Sequence, residues 1–273
     1  MELWFGVEWM RRAAPARPTG PALDRPEPAK APTPLSQPMP PPVPPRETGP
    51  RQANAPPPPA AATRASPDEV RAAAEELARV AGEAAACTKC GLARTRKQVV
   101  FGVGHPRARL MLVGEAPGYH EDQQGEPFVG RAGQLLTRML AKIGLERKDV
   151  YIGNVLKCRP PDNRPPTIEE KICCRPWLEK QRETIRPEAF LALGAHAAKM
   201  LLGMTEDVSI ARLRGKVHER SGVPVVVTYH PAYLLRQPAD RWKSLDDLLR
   251  VQAILQGRDP AAIRPSSPGQ PDV

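Results

Sequence analysis

The chain has 273 residues, a formal net charge of +10 and an aromatic content of only 4%. It contains no run of about eighteen apolar residues, which excludes a membrane-spanning helix. The basic balance favours a polyanionic partner, and five cysteines without an export signal favour a metal site in a reducing, cytoplasmic compartment over disulfides.

Residues 1–66 differ in composition from the rest of the chain, since they hold 18 of its 35 prolines. Such a segment cannot bury enough apolar surface to offset the entropy of ordering, so it is predicted to be a disordered arm. The Trp and Phe residues within positions 1–10 make the start of this arm a candidate docking peptide for a protein partner. Residues 67–256 are long enough for one domain with a core, and residues 257–273 are predicted to be a disordered tail.

Predicted helices and strands alternate along residues 67–256. Ser66 and Glu69 form a capping box with Pro67 at the first helical position, which predicts a helix to about residue 86. Apolar runs predict strands over 109–114, 150–155, 189–193 and 223–228; capping and helical spacing predict further helices over 132–143, 167–185, 195–202 and 240–255. This alternation predicts an α/β domain with a parallel sheet covered by helices on both faces.

Polar residues follow three of the predicted strands. Glu115 comes directly after the first strand, Asn154 ends the second and His230 follows the fourth. Ligands of parallel sheets bind at the carboxyl ends of the strands, so these side chains are expected to converge at one edge. The glycine-rich loop 114–118 allows a backbone to approach a ligand closely there.

Four cysteines flank this region in two pairs, Cys87 with Cys90 and Cys158 with Cys174. Four thiolates suit a tetrahedral site that holds either zinc or an iron–sulfur cluster. Zinc ribbons usually carry two short C-x2-C pairs, and the second pair here is not one, which favours iron–sulfur. Cys173 and Cys174 are not distinguished by spacing alone.

Several short motifs occur together in a recognisable order: Gly114-Glu-Ala-Pro-Gly118, Gly125-Glu-Pro-Phe-Val-Gly-Arg-Ala-Gly-Gln-Leu-Leu136, Asn154, Cys158-Arg-Pro-Pro161, Cys174-Arg-Pro-Trp177 and His230-Pro-Ala-Tyr-Leu-Leu235. Over about residues 84–256 the sequence closely resembles the family 4, iron–sulfur uracil-DNA glycosylases. The resemblance implies a three-layer α/β/α sandwich with a four-stranded parallel sheet. It also implies a [4Fe–4S] cluster held by Cys87, Cys90, Cys158 and Cys174, which leaves Cys173 as a buried thiol.

The resemblance implies a base excision repair enzyme that flips uracil out of single- or double-stranded DNA and hydrolyses its N-glycosidic bond. In this family pattern Phe128 stacks on the flipped base, Asn154 pairs with it, and His230 donates to uracil O2 as charge develops. A monomer without membrane attachment is expected. The alternatives are a glycosylase for another deaminated base, such as hypoxanthine, and a non-catalytic iron–sulfur DNA-binding protein.

The resemblance leaves open which carboxylate activates the water. Ala116 occupies the position where the best-known uracil glycosylases place an aspartate, and the nearest carboxylates are Glu115 and Glu121. By resemblance Glu121 lies near C5 of the base, where it would exclude the methyl group of thymine. His105, His120, His196 and His218 are assigned structural roles.

The segment that follows His230 holds three candidates for contacts with the DNA duplex. Leu234 and Leu235 are predicted to be a wedge that fills the stack vacated by the flipped base. Arg236 is predicted to hold a phosphate.

Overall fold

The computed structural model describes residues 65–204, 206 and 208–264. The helices are α1 (Pro67–Ala85), α2 (Tyr119–Gln124), α3 (Arg131–Lys142), α4 (Ile168–Ile185), α5 (Ala195–Leu202), α6 (Ile210–Leu213), α7 (Pro231–Arg236) and α8 (Arg241–Leu255). The strands are β1 (Val103–Gly104), β2 (Leu110–Gly114), β3 (Tyr151–Asn154), β4 (Ala189–Leu193), β5 (Val217–Arg220) and β6 (Val223–Thr228). The predicted arm lies outside the described residues except at positions 65 and 66.

The strands form one sheet in the order β1-β3-β2-β4-β6-β5. The four inner strands pair in parallel, which confirms the predicted parallel sheet, and the two outer strands are antiparallel to their neighbours. These outer strands extend the predicted four-stranded sheet to six. β1 is only two residues long and β5 reads Val-His-Glu-Arg, so neither carries the apolar run by which the inner strands were predicted.

Alternate residues of the inner strands point into two separate apolar clusters. Met111 and Val113 of β2 pack on the side of α1, α4 and α5, whereas Leu110 and Leu112 pack on the side of α3, α7 and α8. Every residue of β2 and β4 is buried, as expected for strands covered on both faces. The arrangement confirms the predicted three-layer α/β/α sandwich.

Capping residues set the starts of the two longest helices. Ser66 Oγ accepts from the backbone N–H of Glu69 at 3.3 Å, and Thr167 Oγ1 accepts from that of Glu170 at 3.2 Å. Both capping boxes therefore form where the sequence predicts them. Helices α2, α6 and α7 were not predicted, because six or fewer residues are too few to show a helical repeat.

The described chain continues past the predicted boundary at residue 256. A short turn at Pro260–Ala262 brings Ile263 back to α8, where its carbonyl accepts from Arg250 Nη2 at 3.0 Å. The remainder of the predicted tail, residues 265–273, lies outside the described residues. Among the helices of the described part, none combines the length and the apolar character needed to cross a membrane.

Candidate active site

A cavity of about 600 Å³ opens at the carboxyl edge of the parallel strands. Glu115, Asn154 and His230 all line it, so the structure brings together the polar residues at the carboxyl ends of β2, β3 and β6. Its other lining residues include Ala116, Glu121, Phe128, His196, Tyr233, Arg236 and the loop residues Pro160, Asn163 and Arg164.

Asn154 is held deep at the end of β3, with only 2% of its surface exposed. Its Cα pairs with that of Gly114 in parallel register, and its carbonyl accepts from Lys157 Nζ at 2.8 Å. Its side-chain Oδ1 is buried and has no hydrogen-bond partner among the described residues. Since buried polar atoms are normally paired, this acceptor is available to a ligand in the cavity.

A buried polar network supports Asn154 from behind. Lys157 is fully buried, and burial lowers its pKa to about 8. Its Nζ also donates to Gln181 Oε1 at 2.5 Å, and Gln181 Nε2 donates to the carbonyl of Phe101 and to Tyr151 Oη. No sequence pattern predicts this network, because its members come from distant segments of the chain, around β3 and in α4.

Phe128 adopts a left-handed backbone conformation, with φ of 57°, and its ring lies 5.6 Å from that of His230 between centroids. Its carbonyl lies so close to α3 that a Cβ on Gly133 would come within 1.6 Å of the oxygen. A Cβ on Gly114 would come within 2.7 Å of the Phe128 ring and 2.3 Å of Asn154 Oδ1. Two glycines thus make room for a strained turn that presents an aromatic ring to the cavity.

Replacing Gly133 with alanine should lower the free energy of unfolding by about 1–3 kcal/mol, since the added methyl must displace backbone. Chemical denaturation of the purified variant measures this change. Gly82→Ala is the matched control, because a Cβ there meets nothing within 4 Å and alanine favours the helix. Equal stability of the two variants would contradict the close approach of Phe128 and Gly133.

Glu121 joins two loops of the cavity through its carboxylate. Oε2 accepts from the backbone N–H of Gly118 at 3.1 Å, and Oε1 accepts from those of Val129 and Gly130 at 3.1 and 3.3 Å. Both oxygens therefore bind backbone donors that flank the loop after β2 and the turn of Phe128. Glu121 fixes the relative position of these loops.

Glu115 is bound by a histidine to which the sequence assigned only a structural role. Its Oε2 lies 2.9 Å from His196 Nδ1, while its Oε1 is buried and has no partner among the described residues. His196 lies in the first turn of α5, directly after β4, and lines the cavity. Its place at the end of a parallel strand is the signal that could have identified it.

His230 caps the amino terminus of α7. Its Nδ1 accepts from the backbone N–H of Ala232 at 3.1 Å, so the proton of the neutral ring is on Nε2. Burial lowers the pKa of His230 to about 4, and the Glu115 carboxylate only partly opposes this shift. The ring is therefore neutral at pH 7 and has one N–H to donate.

The residues that follow His230 are placed differently from one another. Leu234 is fully buried and packs in the apolar cluster beneath α7, which contradicts its predicted role as a DNA wedge. Leu235 is partly buried against the same cluster, and Arg236 is exposed at the cavity. Of these three residues, Leu235 and Arg236 can contact a macromolecular ligand while α7 stays packed on the sheet.

All five cysteines line a second, smaller cavity next to Trp177, and none forms a disulfide. Arg96 Nη1 lies 3.3 Å from Cys158 Sγ, and the backbone N–H of Lys157 donates to Cys174 Sγ at 3.2 Å. Burial raises the pKa of the Cys158 thiol and raises that of Cys174 to about 11. Cys173, predicted to be buried, is partly exposed.

Comparisons with known proteins identify the family of the chain. Residues 101–255 match the model of the uracil DNA glycosylase superfamily. The type-4 uracil-DNA glycosylase of Archaeoglobus fulgidus is 46% identical over 192 residues, which cover 68% of this chain and 96% of that protein. The type-4 enzyme of Thermotoga maritima is 42% identical over 186 residues, which cover 67% of this chain and 96% of that protein. The chain therefore belongs to the type-4 (family 4) uracil-DNA glycosylases, within the uracil DNA glycosylase superfamily.

Proposed function

We propose that the protein is a DNA repair glycosylase that flips uracil out of DNA and hydrolyses its N-glycosidic bond, leaving an abasic site. The observation that carries this function is the meeting of three groups in one cavity: the unpartnered Oδ1 of Asn154, the ring of Phe128 and the Nε2–H of His230. An acceptor, an aromatic face and a neutral donor match the N3–H, the ring and the O2 of uracil.

Base selection follows from the amide of Asn154. Its Oδ1 would accept from uracil N3–H while its NH2 donates to O4, and cytosine presents the reverse pattern. A mismatched base would leave a buried polar group unpaired, at a cost of about 1–3 kcal/mol. Stacking of the base on Phe128 would contribute about 1–3 kcal/mol, which helps to offset the cost of extrusion from the helix.

Bond cleavage places negative charge on the uracil and positive charge on the sugar. His230 Nε2–H would donate to O2 as the charge develops, and one donor of this kind contributes about 2.7–4 kcal/mol to transition-state stabilisation. The neutral imidazole would stabilise this charge by a hydrogen bond and would keep its Nε2 proton. The departing base would leave as an anion that this donor stabilises.

Glu115 is the better candidate for orienting the attacking water. Its Oε1 has no partner among the described residues, whereas both oxygens of Glu121 bind backbone N–H groups. Ala116 offers the cavity no side-chain acceptor. The role proposed for Glu121 is to hold the loops around the base, and its proximity to C5 would add exclusion of the thymine methyl.

DNA beyond the flipped base would contact the rim of the cavity. Arg236 is exposed there and can pair with a phosphate, and Leu235 is the remaining candidate for a wedge. Arg164 also lines the cavity, but its guanidinium is bound to Glu170, which reduces its free charge.

The cysteine site fits a [4Fe–4S] cluster. Five thiols line one cavity, which is enough for the four that a cluster needs. Arg96 and the Lys157 backbone N–H point hydrogen-bond donors at the sulfurs of Cys158 and Cys174, as is usual around cluster ligands. Cys87, Cys90, Cys158 and Cys174 would hold the cluster. When bound, it would fasten the end of α1 and the loop after β3 to α4.

Cys174→Ser should remove iron from the protein, whereas Cys173→Ser should retain it. The loaded wild type is expected to be brown, with a broad band at about 400 nm and roughly four irons per chain. Absorption spectra and metal analysis of anaerobically purified protein measure these values. Stoichiometric zinc without iron would contradict the proposed cluster, and iron loss from Cys173→Ser would contradict the ligand assignment.

A gel assay tests the function. Oligonucleotides with one uracil, thymine, cytosine or hypoxanthine are incubated with the protein and treated with alkali, which cuts abasic sites. We expect cleavage at uracil in wild type. Cleavage confined to hypoxanthine would favour the alternative base preference, and no cleavage of any substrate would favour a non-catalytic DNA-binding protein.

A further inference from the structure

We propose that His196 is a positioning residue that holds the Glu115 carboxylate in the orientation needed to direct water at the sugar. The inference rests on the proposed glycosylase function and deepens it. It concerns a side chain that neither the sequence motifs nor the comparisons assign to the reaction.

The fold delivers His196 to the cavity through one glycine. β4 ends at Leu193, and Gly194 follows with φ of 92° and donates its N–H to the carbonyl of Thr228 at 2.9 Å. A Cβ on Gly194 would lie 3.2 Å from His230 Cβ. This left-handed turn starts α5 beside His230 and brings the histidine of its first turn to the same edge of the sheet as Glu115.

The contact distinguishes the two oxygens of Glu115. An ionised carboxylate only accepts hydrogen bonds. The 2.9 Å contact therefore requires that His196 Nδ1 carries a hydrogen and donates a hydrogen bond to Oε2. The main chain of Glu115 is held as well, because its carbonyl accepts from the N–H of Leu156 at 3.0 Å. With backbone and Oε2 both fixed, Oε1 is the buried oxygen left to accept from a water molecule.

Stability alone does not account for this pair. The side chain of His196 is 46% exposed and that of Glu115 is 29% exposed, and ion pairs at such positions contribute little to folding. A catalytic carboxylate, in contrast, depends strongly on orientation, since a displacement of about 1 Å can lower a rate by about two orders of magnitude. His196 should therefore affect the rate of excision far more than the melting temperature.

The test compares single-turnover excision of uracil from an oligonucleotide by four variants and the wild type. His196→Ala and His196→Phe should lower the rate about tenfold, because neither can donate to Oε2. His196→Asn places an N–H near the position of Nδ1 and should stay within about threefold of wild type. His105→Ala is the matched control, since that histidine lies before β2, at the opposite edge of the sheet, and its Nδ1 accepts from the nearby backbone N–H of Arg107.

A double-mutant cycle separates positioning from direct contact. If His196 acts through Glu115, His196→Ala should have no further effect on the rate of a Glu115→Ala protein. Affinity for an oligonucleotide with a non-cleavable uracil analogue should stay within about twofold in all His196 variants, because the interaction serves the transition state.

Three outcomes would overturn the inference: a rate for His196→Ala equal to wild type, equal losses in the presence and absence of Glu115, or a loss of rate explained by a lower melting temperature. Failure of the proposed function is recognised separately, since the wild type would then release no uracil. If the wild type excises uracil and any of the three outcomes is found, only the role of His196 is contradicted.

Discussion

Replacing His230 with alanine is expected to lower the single-turnover rate of uracil excision by about 10²–10³, the usual loss for one oxyanion donor. The Nε2–H is the one N–H of the neutral ring, because Nδ1 accepts from the backbone N–H of Ala232. Its proposed interaction with O2 would strengthen as the glycosidic bond breaks. Affinity for a non-cleavable uracil analogue should fall far less. Rate, affinity and melting temperature are measured on the same preparation.

Parallel losses in all three measurements would return His230 to a structural role, that of capping α7. His218→Ala is the control, since that ring binds the carbonyl of Leu213 and is not part of the cavity lining. Its excision rate should match that of wild type.

The pKa of His230 also sets an expected pH dependence. The folded value is about 4 and the ordinary value is 6.5, so between these pH values the unfolded chain binds a proton that the folded chain does not. The free energy of unfolding should therefore rise with pH across this window, by at most about 3.4 kcal/mol, and level off above it. The stability that depends on the neutral His230 ring is lost as pH falls towards 4. The His230→Ala variant should lack this pH dependence. Denaturation at pH 4.5 and pH 7, within and above that window, measures the difference.

Replacing Asn154 with aspartate is expected to lower uracil excision by about 10²–10³ and to create measurable excision of cytosine. An ionised carboxylate can accept from the exocyclic amine of cytosine, but it cannot donate to O4 of uracil. The ratio of single-turnover rates on uracil and cytosine oligonucleotides measures the change.

Asn163→Asp is the matched control for this prediction. Asn163 lines the same cavity from the loop after β3, and its Oδ1 accepts from Arg159 Nε at 2.8 Å. The added charge can weaken DNA binding there, but the ratio of uracil to cytosine excision should be unchanged. An unchanged ratio for Asn154→Asp as well would show that Asn154 does not read the base.

Local chemistry explains which parts of the fold the sequence predicts. Ser66 and Thr167 start their helices through side-chain hydrogen bonds to residues three positions away, and β2 and β4 are continuous apolar runs, so both signals are local. β5 is a charged edge strand whose pairing with β6 supplies its structure, and no local pattern records such pairing.

The candidate site also contains residues that local sequence predicts and contacts that it does not. Asn154 ends one parallel strand and His230 follows another, and ligand sites of parallel sheets lie at those strand ends. The contact of His196 with Glu115 joins residues 81 positions apart, and the burial of Leu234 depends on which side of the six-residue α7 meets the sheet. A Leu-Leu pair does not tell which leucine faces the core, which is why the wedge prediction failed at Leu234.

Lys157 links the cavity that Asn154 lines to the cavity that the cysteines line. Its backbone N–H donates to Cys174 Sγ and its ammonium group donates to the carbonyl of Asn154, so a single residue contacts both sites. If the cysteines hold a metal cluster, we expect its ligation and the placement of Asn154 to be coupled. A substitution that displaces Cys174 would move the backbone of Lys157, and with it the ammonium group that supports the Asn154 carbonyl.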